Sequence, residues 1–273
     1  MAEDRPVAAG ARGAWSPADG QVDVPPPTGG HVTTPVTSLP APLIEPRRGY
    51  RFAPENLLLP DLVREALAPG ARSDRSADPP CPSRAAQAGL RVLDLGAGCG
   101  VLGLLAAAAA GPGCRVELVE RDGELGWCAA ANAVALNRAW SEPRARLVRA
   151  DVQTLSTTPA DLIVANPPFY AASEGRQSRN PSAAGATHAL HGDVRSFVAC
   201  AGRHLAPGGA LLLLYPADRL AIALEALRDE ALHPRRVVLV HARHTGQAYR
   251  VWVHASAERG GCSVTSLSAV TER

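Results

Sequence analysis

The sequence contains no lysine and few aromatic residues, and these shortages limit what its composition can indicate. All 28 basic residues are arginines, and with 26 acidic residues the formal charge is +2. Because Ala, Gly and Pro are also abundant, the arginines fit the coding bias of a GC-rich genome and do not by themselves indicate nucleic-acid binding. Aromatic residues make up 4% of the chain and there is one Met, so the core must consist mainly of Leu, Val and Ala.

Paired cysteines and long apolar runs are also lacking. None of the six cysteines has the spacing of a metal site or of a disulfide framework, so we expect reduced thiols, no metal and a cytoplasmic location. No signal peptide is predicted, since no basic segment is followed by an apolar run near the N-terminus. The longest apolar run, Val101–Ala110, is too short to cross a bilayer. We therefore expect no membrane association, and a monomer.

The distribution of Pro, Gly, Ser and Thr divides the chain into three regions. Residues 1–45 show no hydrophobic period and are predicted to be a disordered N-terminal tail. Residues 46–256 are predicted to form one domain that contains a loop at 70–88, and residues 257–273 are predicted to be a C-terminal tail.

Within the predicted domain, apolar strands alternate with helical segments. The predicted strands are Arg91–Leu95, Arg115–Glu120, Arg146–Arg149, Asp161–Ala165 and Ala210–Tyr215. The predicted helices are 57–67, Val101–Ala110, 123–138, 193–205 and 217–231. Two β-branched runs, Arg236–Ala242 and Tyr249–Ser256, are too close together for an intervening helix and predict a hairpin. The pattern predicts an α/β fold with a doubly wound, mostly parallel sheet and an antiparallel C-terminal hairpin strand.

Polar or glycine-rich segments follow four of the predicted strands. Since ligands of doubly wound sheets bind at the carboxyl ends of the strands, near the reversal of strand order, these segments predict one shared pocket. The candidate cofactor-binding residues at this edge are Asp94, Gly96, Gly98, Gly100, Glu120, Asp151 and Asn166.

Two classes of cofactor match the glycine loop. Residues 98–103 fit the dinucleotide fingerprint GxGxxG, which leaves an NAD-dependent dehydrogenase open. Asp94, however, places a carboxylate where a pyrophosphate would sit, and it suits the cationic ammonium and sulfonium groups of S-adenosylmethionine (SAM). Glu120 can accept two hydrogen bonds from a ribose diol of either cofactor, and Asp151 can accept one from an adenine amino group. These residues favour SAM.

The tetrapeptide after the fourth predicted strand is the most informative motif. Its residues, the candidate catalytic group, are Asn166, Pro167, Pro168 and Phe169. Consecutive prolines fix the backbone and remove two N–H donors, which leaves acceptors that can hold both N–H groups of an exocyclic amine. The aromatic ring offers a face on which a planar group stacks. The motif therefore predicts an N-methyltransferase that acts on a planar amino nitrogen. No general base is required, because the proton can leave after methyl transfer, and catalysis then depends on positioning.

Over residues 47–256, these motifs resemble class I SAM methyltransferases that carry (N/D)PP(F/Y/W). The likeness is to the bacterial valine-tRNA adenine-N6 methyltransferases of the small-domain methyltransferase family. It lies in Glu120 and in segments 49–52, 92–100, 132–137 and 166–170. The resemblance implies a Rossmann-like, seven-stranded sheet that ends in an antiparallel strand, SAM as cofactor, and adenine N6 in tRNA as acceptor.

The resemblance also implies which residues lie near the bound substrate. A Tyr-Arg-Phe segment lies beside the pocket in that family, and an arginine in the loop after the tetrapeptide can approach a phosphate. The candidate substrate-binding residues are Tyr50, Arg51, Phe52, Phe169, Tyr170 and Arg176. RNA, most of all tRNA, is the expected partner.

Other functions stay open at this point. The same cofactor serves methylation of a protein glutamine amide, as in release-factor methyltransferases, or of guanine N2 in ribosomal RNA. A non-catalytic RNA-binding module would keep the fold without the chemistry. An NAD-dependent dehydrogenase would bind NADH and not SAM.

Overall fold

A computed structural model of the chain describes residues 30–47, 52–68, 89–169, 193–241 and 246–268. The strands are β1 His31–Thr34, β2 Leu43–Pro46, β3 Arg91–Leu95, β4 Arg115–Val119, β5 Ala145–Val148, β6 Ala160–Ala165, β7 Leu205–Pro216, β8 His233–His241, β9 Ala248–Ser256 and β10 Ser263–Ser268. The helices are α1 Leu59–Leu67, α2 Val101–Ala110, α3 Gly123–Ala139, α4 Val194–His204 and α5 Leu220–Asp229, with 3-10 helices at Pro54–Leu58 and Ala217–Arg219. The predicted loop at 70–88 lies outside the described residues.

Eight strands form one sheet in the order β10-β8-β9-β7-β6-β3-β4-β5. Strand β9 is antiparallel to β7 and β8, and the other neighbouring pairs are parallel. This confirms the predicted Rossmann-like, mostly parallel sheet with an antiparallel C-terminal strand. The chain reverses its direction of travel across the sheet between β3 and β6, so the ligand-binding edge lies at the carboxyl ends of these two strands.

Two apolar layers hold the helices on opposite faces of the sheet. Helices α1, α2 and α3 cover one face, where Leu104, Leu118 and Trp252 are buried. Helices α4 and α5 cover the other face, where Ile163 and Leu227 are buried. Because both faces are covered, the central strands are mostly apolar and buried, and Asp94 of β3 is a buried exception.

The prediction of a disordered tail over residues 1–45 is wrong for residues 30–45. Strands β1 and β2 pair as an antiparallel hairpin, in which Val36 and Leu43 are buried in the first apolar layer. The Asn132 side chain of α3 accepts a hydrogen bond from the Ile44 N–H at 2.6 Å. A few apolar residues among many prolines therefore suffice to order the segment, because α3 offers a surface that covers them.

The prediction of a C-terminal tail over residues 257–273 is wrong for residues 263–268. These residues form β10, which pairs with β8 from Ser263–Arg236 to Ser268–His241 and adds an eighth strand to the sheet. Val264 is 66% exposed, so side-chain burial contributes little to its placement. Backbone pairing with the edge of β8 is the interaction that orders this segment.

Two features are absent from the described part of the chain. No helix there combines the length and the apolar composition needed to cross a membrane. No group of three or more His, Cys, Asp or Glu side chains lies where it could hold a metal ion.

Candidate active site

The register of the sheet brings three strand ends to one place. Leu95 of β3 pairs with Val119 of β4 on one side and with Ala165 of β6 on the other. The residues that come next on these strands are Gly96, Glu120 and Asn166. The glycine loop, the acidic residue and the tetrapeptide therefore begin at one level of one sheet edge, as the sequence predicted.

The glycine loop has a tightly packed side and an open side. Gly96, Gly98 and Gly100 all have positive φ angles, of 66°, 57° and 85°. A Cβ atom at Gly96 would lie 2.7 Å from Phe197, and one at Gly100 would lie 2.8 Å from Leu118, so these two glycines make room for packing. A Cβ atom at Gly98 would meet nothing within 4 Å. Gly98 is therefore the point at which a ligand can approach the loop backbone.

Glu120 closes the loop against the end of β4. Its side chain is buried and accepts hydrogen bonds from the Gly98 N–H and the Asp122 N–H, both at 2.8 Å. Burial raises the pKa of Glu120, while the backbone N–H donors act to lower it. Each carboxylate oxygen keeps a further lone pair, so Glu120 can still accept from a ribose diol. The arrangement fits the sugar of a nucleoside cofactor.

Asp94 lies at the end of β3, below the glycine loop, and is 1% exposed. Its Oδ2 accepts a hydrogen bond from the Gly103 N–H, in the first turn of α2, at 2.7 Å. Burial raises the pKa of Asp94 to about 7, the Gly103 bond acts to lower it, and the Glu120 charge raises it further. The carboxylate thus occupies a backbone donor at the helix N-terminus that a pyrophosphate would need, and a cation nearby would favour its ionised form. Asp94 therefore fits SAM better than a dinucleotide.

Asp151 follows β5 and is held by a local ion pair. Its Oδ2 lies 2.5 Å from Nη1 of Arg121, and its Oδ1 accepts from the Gln153 N–H at 2.9 Å. The side chain is 27% exposed, so it borders the same edge of the sheet without being enclosed. Its predicted role toward an adenine amino group remains a prediction.

The tetrapeptide starts directly after β6. Pro167 and Pro168 are buried, whereas Asn166 and Phe169 are half-buried and so border solvent. Phe169 packs against the second apolar layer. The buried prolines therefore fix the backbone that carries the two half-buried side chains.

Of the six predicted substrate-binding residues, only Phe169 and Phe52 fall within the described chain. Phe52 is half-buried, packs against the first apolar layer, and donates its backbone N–H to the buried carboxylate of Glu45. The remaining four, which lie outside the described residues, are Tyr50, Arg51, Tyr170 and Arg176.

A polar cluster beside Phe169 was missed by sequence reasoning. The Arg250 guanidinium lies over the Phe169 ring, with Cζ 4.9 Å from the ring centroid. Arg250 Nε is 3.4 Å from Oε1 of Glu55, and the Tyr249 hydroxyl donates to Oε2 of Glu55 at 3.1 Å. No local pattern signals this cluster, because Glu55, Phe169 and Arg250 are far apart in sequence and come from three different parts of the fold.

Asn132 connects the N-terminal hairpin to the glycine loop and is 1% exposed. Its Nδ2 donates to the carbonyl oxygens of Ile44 and Cys99, both at 2.9 Å, while its Oδ1 accepts from the Ile44 N–H. Strand β2 is thereby fixed to the loop that borders the cofactor pocket. The only sequence signal for this residue was the resemblance of segment 132–137.

Comparisons with known proteins agree with this geometry. The sequence profile described as "Methyltransferase small domain" matches residues 83–221. A tRNA1(Val) (adenine(37)-N6)-methyltransferase of Aeromonas hydrophila is 36% identical over 161 residues, which are 59% of this chain and 66% of that protein. The protein of the same name from Klebsiella pneumoniae is 32% identical over 63% of this chain and 69% of its own length. This chain thus spans about two thirds of these relatives.

A solved structure supports the fold independently of these sequence matches. The SAM-dependent methyltransferase from Agrobacterium tumefaciens superimposes with a TM-score of 0.52 at 16% identity, over 85% of this chain and 72% of its own chain. At this identity the likeness concerns the fold alone. Together with the match over residues 83–221, it confirms the resemblance seen in the sequence: the chain belongs to the methyltransferase small domain family of SAM-dependent methyltransferases.

Proposed function

We propose that this chain transfers the methyl group of SAM to the N6 amino group of adenine in tRNA. The observation that carries the proposal is the pairing of Leu95 with Ala165, which places the glycine loop and the Asn-Pro-Pro-Phe tetrapeptide on neighbouring strand ends. A cofactor held by the loop and an acceptor held by the tetrapeptide would then face each other across one short gap.

On the cofactor side, four residues have separate tasks in the proposal. Gly98 offers open backbone, Glu120 accepts hydrogen bonds from the ribose diol, and Asp94 supplies the negative charge that complements the cationic end. Asp151 accepts from the adenine amino group of the cofactor. When bound, SAM supplies the electrophilic methyl group, and these residues hold and orient it.

On the acceptor side, the tetrapeptide orients a nitrogen nucleophile. The Asn166 side-chain oxygen and the Pro167 carbonyl accept the two N–H groups of the adenine amine, which turns the nitrogen lone pair toward the cofactor. Pro168 fixes the turn, and the Phe169 ring stacks on the base. No side chain needs to act as a base, because the proton can leave after the transfer, so the rate depends on positioning.

The choice of tRNA rests on the relatives, whose names state adenine-37 N6 methylation of tRNA1(Val). Phe52 and the residues outside the described chain, Tyr50, Arg51, Tyr170 and Arg176, are proposed to contact the RNA. A tRNA acceptor also implies a cytoplasmic enzyme, and we propose a monomer. An elution volume that corresponds to a dimer in size-exclusion chromatography would contradict the last point.

Transfer of radiolabelled methyl from SAM tests the acceptor. Purified protein is incubated with separated tRNA, ribosomal RNA and release-factor fractions, and labelled nucleosides are then identified after digestion. We expect label in tRNA as N6-methyladenosine. Label in guanosine of ribosomal RNA, or in a glutamine of a release factor, would replace the proposed acceptor and keep the cofactor.

Two substitutions at Asn166 test the mechanism. Asn166→Ala removes the side-chain acceptor and is expected to abolish methyl transfer while the calorimetric affinity for SAM stays within a few-fold. Asn166→Asp keeps an acceptor oxygen, and the (N/D)PP(F/Y/W) pattern indicates that it retains part of the activity. Full activity of Asn166→Ala would refute the role of this residue.

A further inference from the structure

We propose that Arg250 is a positioning residue that covers one face of the Phe169 ring and so fixes its plane, while the acceptor base stacks on the opposite face. The inference rests on the proposed function, since it assigns Phe169 its task in that reaction. The guanidinium carbon lies 4.9 Å from the ring centroid, within the distance at which a cation is attracted to an aromatic face. A cation over one face favours one orientation of the ring, whereas the χ2 angle of an uncovered aromatic ring is broadly distributed.

Arg250 can fix the ring only if its own position is fixed, and the described residues hold it from two sides. Its Nε lies 3.4 Å from the Glu55 carboxylate, and its Nη1 donates to the Tyr249 carbonyl oxygen at 3.2 Å. The Arg250 side chain is 23% exposed and that of Glu55 is 5% exposed, so little solvent screens the pair. The guanidinium is therefore oriented before any substrate arrives.

Glu55, in turn, is anchored to the core of the protein. The Tyr249 hydroxyl donates to its carboxylate at 3.1 Å, and the indole Nε1 of Trp252 donates to its backbone carbonyl at 3.1 Å. Trp252 is among the largest fully buried side chains. The position of the Phe169 ring is thus linked through Arg250 and Glu55 to a rigid part of the sheet.

The sheet order places this chain of contacts on the acceptor side of the pocket. Arg250 pairs with Pro216, so the start of β9 lies beside the end of β7, which neighbours β6 and its tetrapeptide. The glycine loop follows β3, on the opposite side of β6. Loss of Arg250 should therefore affect the acceptor and leave cofactor affinity unchanged.

The kinetic test compares three variants with a matched control. Arg250→Met keeps the apolar stem and removes the planar cation, Arg250→Lys keeps the charge, and Glu55→Gln weakens the hold on Arg250. The control, Arg195→Met, removes an exposed arginine of α4 that pairs with Glu225 and Asp229 of α5. We measure kcat and KM for tRNA at saturating SAM, the affinity for SAM by calorimetry, and the thermal midpoint.

A misplaced ring should lower kcat. We expect Arg250→Met to reduce kcat by about tenfold to a hundredfold, with SAM affinity within twofold of the wild type, because small errors in acceptor placement are costly. Arg250→Lys should retain more activity than Arg250→Met. Glu55→Gln should have little further effect when combined with Arg250→Met, because it acts through that residue. Wild-type kcat in a folded Arg250→Met protein would overturn the inference.

A second measurement needs no turnover and separates this inference from the proposed function. The chain has three phenylalanines, so fluorophenylalanine labelling gives a simple 19F NMR spectrum, in which Phe169→Leu assigns one resonance. Arg250→Met should shift or broaden the Phe169 resonance and leave those of Phe52 and Phe197 in place, while Arg195→Met should leave the Phe169 resonance unchanged. An unmoved Phe169 resonance refutes the positioning role. If the Phe169 resonance moves but the wild-type protein methylates no tRNA, the positioning role stands and the proposed function is refuted.

Discussion

Replacing Asp94 by Asn tests whether burial beneath the glycine loop raises the pKa of this carboxyl group in the protein without ligand. Asp94 is 1% exposed, and its single described partner is the Gly103 N–H. Burial is the main cause that raises its pKa from an ordinary 3.8 to about 7. The substitution is matched in shape, because an amide oxygen can still accept from Gly103 and the amide N–H replaces the acid O–H.

The magnitude follows from linkage between protonation and folding. The folded protein holds this proton more tightly than the unfolded chain does, so the free energy of unfolding falls as the pH rises from about 4 to about 7 and is constant above that. A shift of this size corresponds to about 4 kcal/mol over the whole window. The amide of the variant has no acidic proton to lose, so Asp94→Asn should lack this slope and should be the more stable protein at about pH 8 by a few kcal/mol.

Urea denaturation of both proteins at several pH values measures the effect. The quantity to compare is the difference between the two free energies of unfolding at each pH. His254 has a lowered pKa and contributes stability that increases with pH in an overlapping window, but it contributes equally to both proteins and cancels in the difference. A difference that stays constant between about pH 4 and pH 8 would refute the reasoning.

Three further substitutions test other parts of the site. Glu120→Ala should weaken SAM binding by about 1.5–3 kcal/mol in calorimetry, because it removes charge-assisted hydrogen bonds to the ribose diol; unchanged affinity would move that contact elsewhere. Asn132→Ala leaves one buried and two part-buried backbone groups without this partner, and it should lower the free energy of unfolding by about 2–3 kcal/mol in urea; an unchanged midpoint would contradict this expectation. Gly103→Ala places a methyl group 2.5 Å from Leu118 and should cost about 1–3 kcal/mol of thermal stability, unless α2 can shift freely.

Elements with strong local signals were predicted well. Helix α2 has the bounds Val101–Ala110 that the Ala/Leu run between two glycines indicated. Strand β3 likewise has the bounds Arg91–Leu95. In both cases the apolar pattern and the turn residues agree, so no tertiary contact is needed to decide the ends.

Elements held by distant partners were not predicted. Strand β2 is ordered by Asn132, which is 88 residues away from Ile44, and its own composition resembles a disordered tail. Strand β10 is short, polar and exposed, and its order comes from the edge of β8. The contact of Arg250 with Phe169 requires the β7–β9 register, which no local window contains.

The candidate site likewise has features that the sequence predicts and contacts that it does not. The positions of Gly96, Glu120 and Asn166 at one edge could be predicted, since parallel strands place their carboxyl ends together. The bond from Asp94 to Gly103 could not, because it depends on how closely α2 approaches the sheet. Sequence therefore identified the groups that carry the chemistry, while the structure supplied the contacts that orient them.

The eighth strand has a practical consequence for expressing the protein. A chain shortened to the sequence-based boundary at Ser256 would lose β10 and leave β8 as the outermost strand, with its N–H and C=O groups unpaired from Arg236 to His241. The segment Val237–Val240 is wholly apolar, and such a strand is a template for association with a second molecule. A chain that ends at Ser256 should therefore aggregate more readily than one that keeps β10, for a reason unrelated to catalysis.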